Sequence, residues 1–502
     1  MIRDEDLEPL LRTAPWMSED GRRADRYERV DHAVLGSAAL LLVVAAVGGP
    51  AAGQRFFLPV RPGSARGIEE AHGSTEFDAA AVARACSGGE LATARGGTVR
   101  FRGAGGPVPQ VRRLPFEQGW SSNALSLVDI AGVPHIHKTY RRLDEAVREP
   151  ELLRRMSGTG HTPTWVGDYT YTDPGTGARH PLGVIYRYAP GDGIDLPLRE
   201  NLRSLWPRLT DTRQSPDAVV GPHLLPLEDR LRAAGDFLRA FHRDLATRLG
   251  GPAPAEYPAR EVLARAAERR TALAGAEVSL PAASWRAAFA ALESEVAALS
   301  SEFDGREGVP GAGPCHGDLH LSHLLCGPGV GDGWRMSVID LSTPALGPDE
   351  PGWAAQSPLQ DLVAVQRALE YFAADEAAFE SAQRLGVDSL ETMRGALDGA
   401  PGWAAGDRAV LRQVFRTADL WRGRVLRLLL GPVADSPLRR LLYLRRLLHE
   451  LAYNCAHARP YHAAIDLRHA LALDAAHAPA LSPALAPPSP PASASAPISA
   501  RT

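Results

Sequence analysis

The strongest signal in this sequence is the stretch CHGDLHLSHLL, residues 315–325, followed by the stretch MSVIDLSTP, residues 336–344. In the first, Asp318 lies in a polar loop just before an apolar segment, and His323 follows five residues later. In the second, Asp340 ends the apolar run SVI, which is typical of a buried strand that delivers a carboxylate to a cleft. This spacing suits phosphoryl transfer, in which one carboxylate orients a hydroxyl group and other ligands hold a metal ion.

The composition is that of an ordinary globular protein, with 45% hydrophobic and 23% charged residues in a chain of 502. This length predicts two or three domains. The net charge of −4 provides no global positive field, so we expect no nucleic-acid partner. The four cysteines match no zinc-binding spacing, and the charged N-terminus has no signal-peptide core. We therefore expect a cytoplasmic protein with reduced thiols.

Lys138 is the only lysine among the 55 lysine and arginine residues. Arginine replaces lysine readily on a solvated surface, but not where a compact ammonium group on a flexible stem is needed. Lys138 lies in the alternating run HIHKTY, which is typical of a strand. It is therefore a candidate for a chemical role, and the alternative is an ordinary surface lysine.

The order of the sequence patterns predicts an α+β fold, with a small sheet-rich lobe followed by a larger helical lobe. Residues 1–105 are expected to form an N-terminal cap subdomain, and residues 106–192 the rest of the sheet-rich lobe. Residues 193–474 carry Ala, Leu and Arg at helical spacing and predict a mostly helical lobe. The tail, residues 475–502, is rich in Ala, Pro and Ser and is expected to be disordered.

One apolar run, AVLGSAALLLVVAAV at residues 33–47, has the hydrophobicity of either a membrane segment or a buried hairpin. It is too short for a helix that spans a bilayer, contains Gly36, and ends in the turn signal GGPAAG. A second apolar run, QRFFLPV, follows directly. We therefore predict a hairpin of two buried strands and no membrane partner, with a membrane segment as the alternative.

The segment around Asp318 resembles the catalytic loop of aminoglycoside phosphotransferases and their relatives. In these proteins the motif HGD is followed by Asn or Gln as a metal ligand, and then by an Asp in the position of the protein-kinase DFG motif. The resemblance implies a bilobal, protein-kinase-like fold, ATP and Mg²⁺ as cofactors, Asp318 as the catalytic base and Asp340 as a Mg²⁺ ligand. The alternative, a simple turn capped by Asp318, does not account for Asp340.

Three further segments resemble bacterial maltokinases: HGDLHLSHLL with VIDLSTP, AAQSPLQDLVAVQRALEYFAA, and HELAYNCAHARPYHAAIDLRHAL. Upstream, SSNALSLV and HIHKTYRRLDEAVREPELLRRM resemble the same family, so the likeness covers residues from about 115 to 470. Actinobacterial glucosamine kinases have the same architecture and are an equally close resemblance. The two families imply that a sugar hydroxyl accepts the γ-phosphate. The sugar is maltose, which becomes maltose 1-phosphate, or glucosamine.

The resemblance also assigns the residues that hold ATP. Lys138 takes the place of the lysine that contacts the α- and β-phosphates, and its expected partner is Glu151, with Glu149 as the second choice. Asp361 lies at the start of a predicted helix. It could cap that helix or support the catalytic loop, and its position is equally consistent with both roles.

Two segments of the sheet-rich lobe are expected to complete the nucleotide site. The segment GWSSN, 119–123, is expected to form the turn over the phosphates. Its side-chain donors are Ser121, Ser122 and Asn123. The segment IYRYAPGDG is expected to be the hinge whose backbone binds adenine. The hinge residues are Tyr186 and Tyr188.

The chain departs from the family pattern at the metal site. His323 replaces the usual Asn or Gln, and because imidazole is a softer ligand than an amide oxygen, Mn²⁺ is an alternative to Mg²⁺. DLST replaces the usual DFEG, so the acidic group after Asp340 is missing. His316 and His320 are expected to be structural, and a zinc site with His323 is their alternative use.

The sugar is expected to bind against aromatic and polar side chains near the C-terminal end of the likeness. The expected acceptor residues are Glu450, Tyr453, Arg459 and Tyr461. A kinase for glucosamine or another amino sugar is the first alternative, and it would carry an acidic side chain that pairs with the amine. Antibiotic phosphorylation is less consistent with the chain, which lacks a concentrated acidic loop.

A nucleotide-binding pseudokinase is the alternative from a different class. The changes at His323 and in the DLST segment motivate it, whereas the retention of Lys138, Asp318 and Asp340 argues for an active enzyme. We expect a monomer or homodimer whose partners are ATP and a small sugar.

Overall fold

The architecture is that of a computed structural model. The structure describes residues 4–63, 67–105, 110–118, 121–209, 213–249, 256–276, 280–329, 333–341, 350–431 and 436–477. Gly119 and Trp120 of the expected phosphate turn, the end of the DLST segment within 342–349, and the expected tail from residue 478 lie outside the described residues.

The chain begins with a small antiparallel sheet and two short helices. The strands lie in the order β1-β2-β3-β4. Their bounds are β1 Arg26–Leu35, β2 Ala39–Val47, β3 Arg55–Pro62 and β4 Ile68–Glu70. The helices are α1 Leu7–Thr13 and α2 Glu19–Arg22. The expected hairpin of two buried strands is confirmed, because β2 pairs with β3 along its length.

Strand β2 is apolar throughout because the small sheet is covered on both faces. Leu42 belongs to the hydrophobic cluster that contains Leu11 of α1. Leu41 and Val43 belong to a different cluster, on the opposite face of the sheet. Successive side chains of a strand point to opposite faces, so a strand covered on both sides is a continuous apolar run. The run also includes the end of β1, which turns back at Gly36 with φ of 57°.

The second sheet has seven strands in the order β5-β6-β10-β11-β9-β8-β7. Their bounds are β5 Gly89–Ala92, β6 Thr98–Gly103, β7 Val111–Arg113, β8 Ala124–Ile130, β9 Val133–Thr139, β10 Trp165–Thr172 and β11 Arg179–Arg187. The sheet-rich lobe also has helices α3 Thr75–Ser87 and α4 Glu149–Met156. Strand β6 pairs with β10, so the sheet continues across residue 105. The expected boundary between cap and lobe is therefore wrong in detail, because β5 and β6 belong to the sheet of the lobe.

The larger lobe is mostly helical, as expected. Its helices are α5 Asp195–Leu205, α6 Pro216–Leu224, α7 Glu228–Leu249, α8 Ala259–Ala274, α9 Ala282–Glu302, α10 Pro358–Leu385, α11 Ser389–Asp398, α12 Ala405–Leu430, α13 Pro437–Ala456 and α14 Pro460–His477. A three-stranded sheet interrupts them, with strands β12 Asp192–Gly193, β13 Leu324–Pro328 and β14 Trp334–Val338. Short 3₁₀ helices are Asp4–Asp6, Trp206–Arg208, Leu225–Leu227 and Leu321–His323.

One hydrophobic core joins the two lobes beside the catalytic loop. Val184 of β11 and Leu152 of α4 belong to the same buried cluster as Phe241 of α7, Leu319 of the loop and Val338 of β14. The two lobes are therefore packed against each other through this shared core. The expected bilobal α+β architecture is thereby confirmed, and no helix among the described residues is long and apolar enough to cross a membrane.

Candidate active site

The HGD motif is held in place by a buried carboxylate. Asp361 accepts the backbone N–H of His316 through Oδ2 and that of Gly317 through Oδ1, both at 2.8 Å. Asp361 Oδ2 also lies 2.8 Å from Nε2 of His242 on α7. Ser357, not Asp361, caps helix α10. Of the two roles expected for Asp361, the structure therefore shows support of the loop.

The imidazole of His316 joins this loop to the end of β14. Its Nδ1 accepts the backbone N–H of Asp318 at 3.3 Å, so Nε2 carries the proton and donates it to the carbonyl oxygen of Ile339 at 2.9 Å. Ile339 directly precedes Asp340 in the sequence. His316 therefore positions the two carboxylates relative to one another, and neither ring nitrogen is left for zinc.

Asp340 follows β14 in the left-handed backbone region, with φ of 58°. A positive φ is uncommon outside glycine and clusters at functional sites. One carboxylate oxygen binds Nζ of Lys138, and the other lies 3.4 Å from Nε2 of His323. The residue thus connects the lysine of the small lobe with the catalytic loop of the large one.

Lys138 is buried in β9 between two carboxylates. Its Nζ lies 2.8 Å from Oε2 of Glu149, which also accepts the hydroxyl of Tyr140 at 2.7 Å. Burial disfavours the charged amine, but Glu149 and Asp340 outweigh it and raise the pKa of Lys138 above its ordinary value. Lys138 is therefore a fixed cation at the interlobe cleft.

The expected pairing of Lys138 with Glu151 is wrong, and the second choice, Glu149, is the partner. Glu151 is half-exposed and pairs with Arg154 at 3.1 Å and Arg155 at 2.9 Å. Two residues along an α-helix rotate the side chain by about 200°, so the two glutamates lie on opposite faces of α4. Glu149, at the start of the helix, faces the sheet.

His323 presents an unprotonated ring nitrogen to Asp340. Its Nδ1 lies 3.0 Å from the carbonyl oxygen of Asp318 and must donate to it, because a carbonyl only accepts. Burial lowers the pKa of His323 to about 4 despite the nearby Asp340 carboxylate, so the ring is neutral. A nitrogen lone pair and a carboxylate oxygen that face each other 3.4 Å apart form a donor set suited to a divalent cation.

Asp318 is a carboxylate at neutral pH. Its Oδ1 lies 3.0 Å from Nε2 of His320 and 3.5 Å from Nη1 of Arg446. Burial favours the neutral acid, but these two groups outweigh it and lower the pKa of Asp318 to about 2. The side chain is 30% exposed, so a hydroxyl group in the adjacent cavity can reach it.

The described part of the expected phosphate turn lies next to the strand of Lys138. Leu125 of β8 pairs with Lys138 of β9, and the turn directly precedes β8. Within it, the hydroxyl of Ser121 accepts the backbone N–H of Asn123 at 3.1 Å. Ser122 is exposed. The assignment of Ser121, Ser122 and Asn123 to phosphate binding stays a prediction.

The expected hinge is partly used within the protein. The backbone N–H of Arg187 donates to the carbonyl oxygen of Thr164 at 2.8 Å, and that of Tyr188 to Pro134 at 3.0 Å. These two amides therefore cannot serve adenine in this conformation, which corrects the expectation for the backbone next to Tyr186. The ring of Tyr186 is buried in the interlobe core.

A cavity of about 470 Å³ opens beside Asp318, between the catalytic loop, α10, α13 and the start of α14. The expected acceptor residues Glu450, Tyr453 and Arg459 line it. Tyr371 and Asn454 contribute further hydrogen-bonding groups to the same wall. A cavity of this kind, with aromatic and polar walls, suits a small polar ligand.

Tyr461 does not line this cavity, which corrects its expected role there. It lines an adjoining cavity of about 340 Å³, where its hydroxyl donates to Oδ1 of Asp375 at 2.8 Å. Tyr461 lies in the first turn of α14, and its side chain points toward Asp375 of α10. His320 and Tyr371 line both cavities, so the two spaces adjoin.

Arg446 is the main site residue that the sequence motifs did not identify. It contacts Asp318, and its Nε donates to Oε1 of Glu450 at 2.6 Å. Arg446 precedes Glu450 by four residues on α13, and that spacing places two side chains on one helix face. This spacing was the available signal, but only the fold shows that the face meets Asp318.

Three comparisons relate the chain to known proteins. Residues 189–348, which include Asp318, His323 and Asp340, match the model of the phosphotransferase enzyme family. No curated protein matches the sequence. Two crystal forms of a glucosamine kinase are 18% and 19% identical, with TM-scores of 0.52 and 0.53, and the alignments cover 92% of this chain and 96% and 97% of theirs. A glucosamine kinase in complex with glucosamine, ADP and inorganic phosphate is 18% identical, with a TM-score of 0.50 and coverage of 93% and 98%.

At these identities the likeness to the solved structures establishes the fold, which is the bilobal fold of aminoglycoside-phosphotransferase-like kinases. The matched segment contains the catalytic loop and both carboxylates. The chain therefore has the fold of these kinases, and residues 189–348 carry the sequence pattern of a phosphotransferase family.

Proposed function

We propose that this protein is an ATP-dependent sugar kinase that transfers the γ-phosphate of ATP to a sugar hydroxyl. The observation that carries the proposal is the position of Asp318. Its carboxylate lines the 470 Å³ cavity, and its own carbonyl oxygen orients His323 toward Asp340. The acceptor site and the phosphate site therefore meet at one residue.

The nucleotide would be held mainly by the small lobe. Lys138, a buried cation supported by Glu149, supplies positive charge for the α- and β-phosphates. We assign Ser121, Ser122 and Asn123 to the turn above the phosphates. Tyr186 and Tyr188 would lie beside the adenine. The backbone amides of Arg187 and Tyr188 already form hydrogen bonds within the protein. The contacts with adenine would therefore come from the tyrosine side chains and from the neighbouring backbone.

A divalent ion fits between His323 and Asp340. The neutral imidazole contributes Nε2 and the carboxylate contributes Oδ2. Within the described part of the chain, no group of three or more His, Cys, Asp or Glu side chains forms a metal site, so phosphate oxygens and water would complete the coordination. When bound, Mg²⁺ or Mn²⁺ neutralises phosphate charge, and the imidazole ligand favours Mn²⁺ more than the usual amide would.

Asp318 would orient the attacking hydroxyl and accept its proton as the new oxygen–phosphorus bond forms and the bond from the γ-phosphorus to the bridging oxygen breaks, which releases ADP. A carboxyl with a pKa of about 2 is a weak base, which suits a loose transition state in which the proton leaves late. Most of the rate would therefore come from positioning by the loop that Asp361 holds, and from charge neutralisation by Lys138.

Maltose and glucosamine are the two acceptors that the resemblances suggest. Tyr453, Arg459 and Glu450 line the cavity in which either sugar would bind, whereas Tyr461 would contact only a longer acceptor that reaches the adjoining cavity. The near-complete coverage of the glucosamine kinase structures favours a single sugar of that size as a second candidate.

The test is ATP consumption by the full chain with maltose, glucosamine, glucose or an aminoglycoside, each with Mg²⁺ and with Mn²⁺. We expect turnover with one sugar, and a loss of about a hundredfold or more in Asp318→Asn with ATP binding retained. Asp304→Asn, an exposed carboxylate of the same lobe, is the matched control. ATP binding without turnover under any of these conditions would instead point to a nucleotide-binding pseudokinase or to an acceptor outside this panel.

A further inference from the structure

The two carboxylates that line the acceptor cavity are already bound to arginine. Glu450 accepts Nε of Arg446 at 2.6 Å and Nε of Arg367 at 2.8 Å. Asp318 lies 3.5 Å from Nη1 of Arg446 and 3.0 Å from His320. These arginines, both largely buried, already neutralise much of the negative charge, so a sugar amine would gain less attraction here than at an unpaired carboxylate. The cavity is therefore poorly suited to a cationic acceptor.

Arg459 is the opposite case, because it is a cation at the cavity without an acidic partner. Among the described residues, no carboxylate forms a salt bridge with it. Its guanidinium instead lies over the ring of Tyr453, 5.1 Å from the centroid. Stacking on an aromatic face holds a guanidinium in place while its N–H donors remain available in the ring plane. Such a group binds carboxylates and phosphates in a bidentate manner.

Two of the histidines that line the cavity, His449 and His462, add no positive charge to it. Burial and the neighbouring Arg269 and Arg446 lower the pKa of His449, and burial and Arg459 lower the pKa of His462. Both imidazoles are therefore neutral at neutral pH and supply hydrogen bonds to hydroxyl groups, not charge. Arg459, which is exposed, is left as the cation of the cavity without a salt-bridge partner among the described residues.

We propose that the acceptor is an acidic sugar, one that carries a carboxylate or a phosphate in addition to the hydroxyl that is phosphorylated. The proposal rests on the sugar-kinase function proposed above and names its substrate class. Arg459 binds the anionic group, while Asp318 contacts the hydroxyl across the same cavity. The adjoining cavity holds the carboxylates of Asp195 and Asp375, but Asp318 does not line it, so a ring bound there presents no hydroxyl to the base.

Four sugars with one ring skeleton isolate the effect of charge: glucose, glucosamine, glucuronate and glucose 6-phosphate. Their binding to the full chain with a non-hydrolysable ATP analogue is measured by calorimetry, and their phosphorylation is measured separately. We expect glucuronate or glucose 6-phosphate to bind at least tenfold more tightly than glucose, and glucosamine to bind no better than glucose. Whichever of these two acidic sugars binds more tightly shows whether the site prefers a carboxylate or a phosphate.

Arg459→Gln should weaken the binding of the acidic sugar by about tenfold or more and leave the binding of glucose unchanged, because only the charge-assisted contact is lost. Arg265→Gln, an exposed arginine that pairs with Glu268 in its own helix, is the control and should change neither ligand. Equal binding of all four sugars, tighter binding of glucosamine, or no binding of any of them would overturn the proposal. Tight binding of an acid without phosphate transfer would leave the charge assignment standing and refute the kinase function.

Discussion

Replacement of Glu149 by glutamine tests the buried ion pair with Lys138 that we assign to the proposed nucleotide site. The substitution keeps the size of the side chain and an oxygen that can accept the hydroxyl of Tyr140, but it removes the charge 2.8 Å from Lys138. Lys138 retains Asp340 as its second partner. The variant therefore isolates one of two buried charge contacts without opening a cavity.

The expected effect follows from burial. Glu149 is 1% exposed and Lys138 is 3% exposed, so solvent does not screen the contact. A hydrogen bond to a buried charged group contributes about 1.5–3 kcal/mol, which corresponds to about 10- to 150-fold. Glu151→Gln, two residues away, breaks only half-exposed pairs, for which about 0.2–1 kcal/mol is typical.

The assay compares kcat/KM for ATP and the dissociation constant of an ATP analogue in wild type, Glu149→Gln and Glu151→Gln, with unfolding in urea as the measure of stability. We expect Glu149→Gln to lose about tenfold to a hundredfold in kcat/KM and Glu151→Gln to stay within about fivefold. An equal or larger loss in Glu151→Gln would refute the pairing and restore the partner that the sequence motif suggested.

Three further predictions concern the loop, the metal site and the cap. Asp361→Asn keeps one acceptor for the two loop amides and loses the other. Because the proposed base is then misplaced, kcat should fall about a hundredfold while the affinity for ATP is retained. A loss of ATP affinity alone would contradict the supporting role of Asp361. His323→Gln restores an amide oxygen to the metal site and should lower the ratio of kcat with Mn²⁺ to kcat with Mg²⁺; an unchanged ratio would show that this side chain does not bind the ion. In the cap, burial disfavours the carboxylate of Glu70, but His72 and Arg141 outweigh it and lower its pKa from 4.5 to about 2. Because the folded-state pKa is depressed, its stabilising effect is present above pH 4.5 and is lost as the pH falls toward 2. The melting temperatures of wild type and Glu70→Gln should therefore differ at pH 6 and converge on acidification, and a pH-independent difference would rule out the ionic contribution.

Much of the fold was predictable because its signals are local. The apolar run at 33–47 indicated buried strands because a sheet covered on both faces needs apolar side chains at successive positions. Helix α7 was apparent from its amphipathic spacing. Strand β10, Trp165–Thr172, was not predicted, and neither was the extension of the lobe sheet by β5 and β6. Pairing between distant strands is set by shape and burial, which no window of sequence contains.

The site was predictable where chemistry demands a residue type and not where only geometry chooses among equals. Lys138, Asp318 and Asp340 stood out because phosphoryl transfer needs those groups, and the structure brings them to one cleft. Glu149 and Glu151 are chemically identical, and only the rotation of α4 against the sheet decides between them.

Local sequence was sufficient for the bilobal fold, for the order of the lobes and for singling out Asp318 and Asp340, because each depends on a short motif or a periodicity. Tertiary structure alone decided that Asp361 supports the loop, and that Arg446 and Arg367 neutralise Glu450. It alone left Arg459 as the cation of the acceptor cavity without an acidic partner among the described residues. The physical reason is that electrostatic interactions depend on distance and burial in space. Residues far apart in the chain acquire these only when the helices pack.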